Sequence, residues 1–282
     1  MPDMILSMTT HGDRVPLVTR VLAPTAERAA KAGFHTALTL YKADVPRMAE
    51  ELKRLVGSGA VELLVADEDL GSNLKYYEAM RRFPDSVVMV HDDDILFRPE
   101  TFVEMAAFAR DYPGCVGCRR TRHMMWTAPA WPGPFPKGYR ITSSTDVSAV
   151  RPLADEFAEG CKGIVFPAGC FADLLSDETM LRDIREHCLH DDDIALALMS
   201  ERAGLPTYLV PCAGPLADVD YYAGPTCPVG VRKVEDQTIN RTALWRQGRN
   251  GMRTTECLRH FARELWFYKH IRDLRRSERG LA

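Results

Sequence analysis

No apolar run in the 282 residues approaches the roughly 18 to 20 residues that a membrane-spanning helix requires. The opening stretch, MPDMILSMTT, also lacks the basic region and apolar core of a secretory signal. Both absences lead to the expectation of a soluble, cytoplasmic chain. Cysteine is sparse: 8 are spread along the chain, and Cys115 and Cys118 form a C-x-x-C with no second pair at zinc-site spacing. A disulfide framework is therefore not expected, and the thiols read as free or buried. Neither sign of charge dominates, since 36 Lys and Arg face 39 Asp and Glu for a net charge of −3. That balance excludes a surface devoted to nucleic-acid phosphates. Internal repeats and low-complexity tracts are missing as well.

What is present suits a folded domain, because 46% hydrophobic and 27% charged residues suffice for a sizeable core. The first hundred residues alternate short apolar runs with helical periodicity: MILSM, a helical pattern from Pro16 to Lys31, TALTL, another from Pro46 to Val56, VELLV, a third from Asn73 to Phe83, and SVVMV. This β-α-β-α-β-α-β order predicts parallel strands with crossover helices, whose functional residues gather outside the carboxyl ends of the strands. Prolines 129, 132, 134 and 136, among Trp126, Trp131, Phe135 and Tyr139, predict an aromatic loop from Thr127 to Tyr139. Regularity returns with GIVFP, helical patterns over Ser176–His187 and Asp192–Ala203, and TYLVP. A glycine- and proline-rich loop over Ala213–Val231 then precedes a helical pattern from Arg253 to Arg279.

Two acidic clusters carry the chemistry. In VVMVHDDDILF an apolar strand ends abruptly in Asp92, Asp93 and Asp94. Strand alternation puts Asp92 and Asp94 on one side and Asp93 on the other. Two carboxylates sharing one site repel unless protonated or bridged by a cation, and hard oxygen ligands suit Mg²⁺ or Mn²⁺. The second triplet, Asp191 to Asp193, opens the helix IALALM, where the macrodipole and capping account for one or two acids but not for three.

In their order along the chain, SMTTHGDR, DLGSNLKYYEAMRRFPDSVVMVHDDDILF, GIVFPAGCF and HDDDIALALMSERAG resemble the bacterial nucleotide-sugar glycosyltransferases of the GT-A fold, a family-2-like group with an Asp-X-Asp motif after the fourth strand. HGDR stands where the family more often has an aromatic-proline pair, and GSNLK where Gly-Pro is commoner before the Lys. The resemblance implies a Rossmann-type mixed sheet flanked by helices. Residues 1–120 would bind a nucleotide-sugar donor, 121–250 would bind a carbohydrate or lipid-linked acceptor, and 251–282 would form a helical tail. It further implies that Asp94, with Asp92, holds the metal and that Asp92 and Asp93 approach the ribose or donor sugar. Ser7, Thr9 and Arg14 would lie against the nucleoside and diphosphate. Lys75 would reach a phosphate or the sugar, and Gly163, which a turn explains equally well, would admit the donor sugar to the backbone. Asp192 would serve as the base of an inverting reaction, paired with Asp193; a retaining enzyme needs no such base.

Three other readings stand beside this one. A non-catalytic sugar-nucleotide or glycan-binding module of the same fold would not need both acidic clusters. A metal-dependent phosphohydrolase of the HD type, suggested by His187 and His190-Asp191, would be all-helical. In the tail, eight Lys/Arg against four Asp/Glu accompany an apolar stripe through Leu258, Phe261, Leu265 and Phe267. That stripe either packs on the domain or lies on an anionic membrane surface as a peripheral contact.

Overall fold

The apolar runs form strands wherever alternate side chains find a helix layer on each face of one sheet. The computed structural model describes residues 3–126, 136–143, 147–153, 156–189, 191–212, 221–222, 256–261 and 263–267. In chain order the strands and helices are β1 (Met4–Thr9), α1 (Thr19–Lys31), β2 (Phe34–Tyr41), α2 (Glu50–Gly57), β3 (Glu62–Ala66), α3 (Leu74–Arg82), β4 (Val87–His91), β5 (Ile95–Leu96), α4 (Pro99–Asp111), β6 (Val116–Cys118), β7 (Arg120–Trp126) and β8 (Pro136–Ser143). They continue with β9 (Arg151–Pro152), β10 (Glu156–Ala158), β11 (Ile164–Phe166), α5 (Glu178–His187), α6 (Asp192–Arg202), β12 (Thr207–Leu209) and β13 (Tyr221–Tyr222). Residues 256–261 and 263–267 are helical and form the C-terminal helix.

Eight strands make the central sheet in the order β3-β2-β1-β4-β11-β6-β12-β9. It is mixed but mostly parallel: β11 runs against β4 and β6, and β9 runs against β12. This is the α/β architecture expected from the alternating pattern, and it removes the all-helical alternative. Parallel strands are covered on both faces, and the parity of the core residues shows it. Ile5, Ala37, Val88 and Val90 face α3, α5, α6 and the C-terminal helix through Tyr76, Ile184, Leu198 and Phe261. Leu6 and Met89 pack with Ala29, Phe102 and Met105 from α1 and α4, and Met8, Leu38 and Leu40 pack with Leu22 and Leu52 from α1 and α2.

Several expectations need correction. The helical pattern from Pro16 splits into a 3₁₀ turn, Gly12–Leu17, and α1, because Pro16 has no N–H to donate. The pattern from Pro46 likewise yields a 3₁₀ turn, Lys42–Arg47, before α2. Helix α4 was not anticipated, although Pro99 at its first turn and buried Phe102, Met105 and Ala106 mark it. The proline-rich loop is shorter than expected: β8 starts at Pro136 and pairs antiparallel with β7, and β10 completes a three-stranded side sheet. Residues 127–135, with Trp131 and Phe135, lie outside the described residues, as does His190.

The thiols are also not all free. Cys188, just after α5, and Cys257, on the C-terminal helix, form a disulfide with Cα atoms 4.9 Å apart. A separation of 69 residues hides such a pair from any spacing argument. Of the tail's apolar stripe, Leu258, Phe261 and Leu265 are buried in the same core as α5 and α6, while Phe267 is exposed. Residues 268–282 lie outside the described residues, and no helix among those described is long and apolar enough to cross a membrane.

Candidate active site

The first acidic triplet is a turn, not a strand. β4 ends at His91, Asp93 and Asp94 form a tight turn, and β5 begins at Ile95. Alternation consequently stops at His91, and the expected pairing of Asp92 with Asp94 is replaced by another. Asp93 and Asp94 share Arg14: its Nη2 makes an ion pair with Asp93 Oδ1 and lies 3.1 Å from Asp94 Oδ2. Asp92 turns instead to Lys75, whose Nζ donates to its Oδ1 at 2.5 Å.

Arg14 reaches this point from the 3₁₀ turn that follows β1, and Lys75 from the first turn of α3. Both cations are almost completely enclosed, at 7% and 5% exposure. Lys75 also lies 2.7 Å from Asp192 Oδ2 and thus links the two acidic triplets, which are 100 residues apart in sequence. Burial alone would lower its proton affinity, but Asp192, Asp92 and Asp193 together hold it well above the ordinary lysine range.

The second triplet divides its work at the start of α6. Asp191 is the N-cap and accepts the Ile194 N–H at 3.2 Å, the macrodipole role expected for one acid. Asp192 takes Lys75. Asp193 Oδ1 accepts the Gly160 N–H at 2.6 Å, and its Oδ2 lies 3.8 Å from Arg122. Arg122 in turn pairs with buried Glu159, which Arg120 also holds at 2.6 Å.

These surroundings move the carboxyls in different directions. Burial raises Asp92, yet the Lys75 ammonium outweighs it and keeps Asp92 below the usual range. Burial raises Asp94, Arg14 opposes, and Asp93 and Asp92 add to the rise, so that Asp94 reaches about 6. Asp193 stands well above the ordinary value through burial, Asp192 and Glu159.

A loop unforeseen from the sequence locks the two halves together. Ser72 N–H donates to Leu189 O at 3.1 Å, and Asn73 Nδ2 donates to Cys188 O at 2.8 Å. Tyr76 Oη donates to Asn73 Oδ1 at 2.9 Å. Gly71, at φ +56°, passes so close that a Cβ there would stand 1.9 Å from Leu189 O. Asn73, Gly160, Glu159, Arg120 and Arg122 were not found by sequence reasoning. They sit in stretches with no distinguishing pattern.

The remaining expected residues are placed as follows. Ser7 is fully buried in β1, between Ala37 and Val90. Thr9, at the end of β1, donates its hydroxyl to Thr39 O at 2.9 Å. Gly163, at φ +89°, packs into the core: a Cβ would meet Met89 Cε at 2.8 Å and the Phe97 ring at 3.0 Å. His187 is half-buried, stacked on His260 at 3.9 Å and 3.7 Å from Glu256.

No family model matches the sequence, and no curated protein matches it either. Several solved structures show distant similarity. A UDP-glucose pyrophosphorylase complexed with UDP-glucose shares 10% identity at a TM-score of 0.43, over 75% of this chain and 91% of that one. The 4-diphosphocytidyl-2C-methyl-D-erythritol synthase from Anaerococcus prevotii shares 12% at 0.42, over 72% and 85%. The mannosyltransferase PcManGT from Pyrobaculum calidifontis, in complex with GDP-Man and Mn²⁺, shares 14% at 0.33, over 42% and 35%. Likenesses of this size assign no chemistry, and the functional reading rests on the side chains just described.

Proposed function

We propose that the chain is a metal-assisted glycosyltransferase that moves a sugar from a nucleotide diphosphate sugar to an acceptor hydroxyl on a glycan, a lipid-linked saccharide or a small molecule. The Lys75 bridge carries this reading, with Nζ at 2.5 Å from Asp92 and 2.7 Å from Asp192. Displacement at an anomeric carbon needs positive charge for the departing diphosphate and, on the other side, a carboxylate for the proton of the incoming hydroxyl. The bridge makes neighbours of the Asp92–Asp94 turn, with Arg14 beside it, and of Asp192 and Asp193, at the carboxyl edge of the parallel strands, where α/β folds bind ligands.

Mn²⁺ or Mg²⁺ fits the donor set of Asp94 and Asp93, which already share one cation, whereas Asp92 is turned to Lys75. Asp94 and Asp93 both offer hard oxygens, which suit these ions. No three His, Cys, Asp or Glu among the described residues form a complete metal cage. One or two carboxylates completed by phosphate oxygens and water are the usual way these ions accompany nucleotides. When bound, such an ion offsets charge on the leaving diphosphate.

The chain's own groups do the rest. Arg14 and Lys75 supply donors to the diphosphate, and Asp192 receives the acceptor proton. Asp193, held by Gly160 and Arg122, orients the start of α6. Residues 1–120 then serve the donor, and 121–250 the acceptor.

A thermal-shift panel of nucleoside diphosphates and sugar nucleotides, each with and without Mn²⁺, tests the reading. A ligand at a hundredfold excess over its Kd stabilises the folded state by about 2.7 kcal/mol. At least one diphosphate should shift unfolding only with the metal present, and the matching sugar nucleotide should release that diphosphate when an acceptor is added. Binding without release would reduce the chain to a sugar-nucleotide-binding module, and no shift by any nucleotide would end the proposal.

A further inference from the structure

We propose that Arg14 is the resident counter-ion of the first acidic turn, and that a divalent cation binds Asp94 by displacing it and freeing its guanidinium for the donor diphosphate. The inference rests on the reading of Asp94 as the metal-facing carboxylate.

Its basis is the place of one nitrogen. Arg14 Nη2 stands between Asp93 Oδ1 and Asp94 Oδ2, in ion-pair contact with the first and 3.1 Å from the second. Between two carboxylates of one turn, that is where a small cation would bind. Exposures of 8%, 9% and 11% for the three side chains leave little solvent to share the charge. The guanidinium is held by charge more than by fit: its Nε is buried and meets no hydrogen-bond acceptor among the described residues, and Nη2 alone serves both carboxylates. A guanidinium is at its strongest when its planar fork meets oxygens in two parallel bonds. Here it fills a charge vacancy without using that fork. A dication brings twice the charge to the same oxygens, whereas a diphosphate offers the paired oxygens that the fork lacks.

Binding order follows. Metal and Arg14 compete for Asp94, so metal alone binds weakly. Once Arg14 has a diphosphate to hold, the competition ends, and metal and nucleotide favour each other by the same factor in both directions.

The test uses Mn²⁺ alone. Binding is read from the loss of the free Mn²⁺ electron paramagnetic resonance signal, in the wild type and in Arg14→Gln. The variant should bind Mn²⁺ at least tenfold more tightly, although a simple phosphate-binding arginine would leave metal affinity unchanged. Unchanged or weaker Mn²⁺ binding in the variant overturns the proposal, as does the absence of Mn²⁺ binding in both proteins.

Because Arg14→Gln leaves Asp93 and Asp94 without their partner, the variant can fail to fold, and a second measurement uses the wild type. Phenylglyoxal modification of arginine, followed at the Arg14 peptide by mass spectrometry, should be slow without metal and severalfold faster at saturating Mn²⁺. Equal protection with and without bound Mn²⁺ overturns displacement. Neither arm involves a sugar nucleotide: if both succeed while no nucleotide binds, the glycosyl-transfer reading fails and the role of Arg14 stands.

Discussion

Asp192 and Asp193 are adjacent in the chain but have different partners. The first faces an ammonium at 2.7 Å, and the second a backbone N–H at 2.6 Å, with Arg122 further away. A base must stand ready for the acceptor hydroxyl, and Lys75 fixes the position of Asp192. Asp192→Asn should therefore leave donor affinity near its wild-type value and lower kcat by about 10² to 10⁴, the usual worth of a general base. A loss below tenfold in steady-state turnover moves the role to Asp193 or to a retaining mechanism. Asp193 makes its own prediction on stability. Its folded pKa lies well above the ordinary value of 3.8, so the folded state binds the proton more tightly than the unfolded chain. That contribution is complete below the unfolded value and is lost as pH rises through the folded one. Urea unfolding of the wild type from pH 4 upward should include this decline, and Asp193→Asn should remove it; the same slope in both proteins rejects the assignment. At this scale the sequence told little beyond residue type. It brought the two triplets forward because three acids exceed what a cap needs. It could not reveal that Asp93, rather than Asp92, shares a cation with Asp94, since that depends on β4 stopping at His91.

The connections between elements carry as much of the site as the elements do. Most strands and helices were legible, because a sheet covered on both faces demands continuous apolar runs, and its helices demand a 3.6-residue period. Short pieces were not: β5, β9 and β10 have two or three residues each, too few for any period. The loop before α3 shows what this costs. The reason for its glycine was not visible, because the Leu189 carbonyl that leaves no room for a side chain arrives from more than a hundred residues away. Gly71→Ala has two penalties, a positive φ that a Cβ resists and a collision with backbone that cannot rotate aside. Strained backbone of this kind costs on the order of 1–3 kcal/mol. The collision should push the loss in urea unfolding to the upper end of that range. Donor binding should weaken with it, since Ser72 and Asn73 fasten this loop to the residues just before Asp191. A neutral Gly71→Ala in both measurements contradicts this account of the loop.

At the scale of the whole molecule, the C-terminal helix closes the chain back onto the site. Its buried Leu258, Phe261 and Leu265 join the core formed with α5 and α6, and Arg202 on α6 holds Glu264 at 2.6 and 2.9 Å. Cys257 ties the same helix to Cys188, whose carbonyl is the acceptor for Asn73. One residue thus serves the tail, the α3 loop and the approach to the second acidic triplet. The cross-link closes a long loop, its ends 69 positions apart in sequence, and by chain entropy a native disulfide of this kind stabilises by about 2–4 kcal/mol. Urea unfolding of oxidised protein, of protein reduced with a phosphine, and of Cys257→Ala separates the contributions. Reduction should cost the cross-link alone, because both sulfurs stay in the core. The alanine variant should cost the same amount plus the loss of one buried sulfur, a smaller increment. If oxidised and reduced proteins unfold at the same urea concentration, and alkylation without reductant labels Cys188, the cross-link is not formed in solution. The tail would then be held by its apolar stripe and the Arg202–Glu264 pair. Nucleotide binding measured on the same three samples shows how far the fastening reaches: a cross-link that steadies Cys188 should weaken binding when cut, although neither sulfur touches Lys75 or the acids around it.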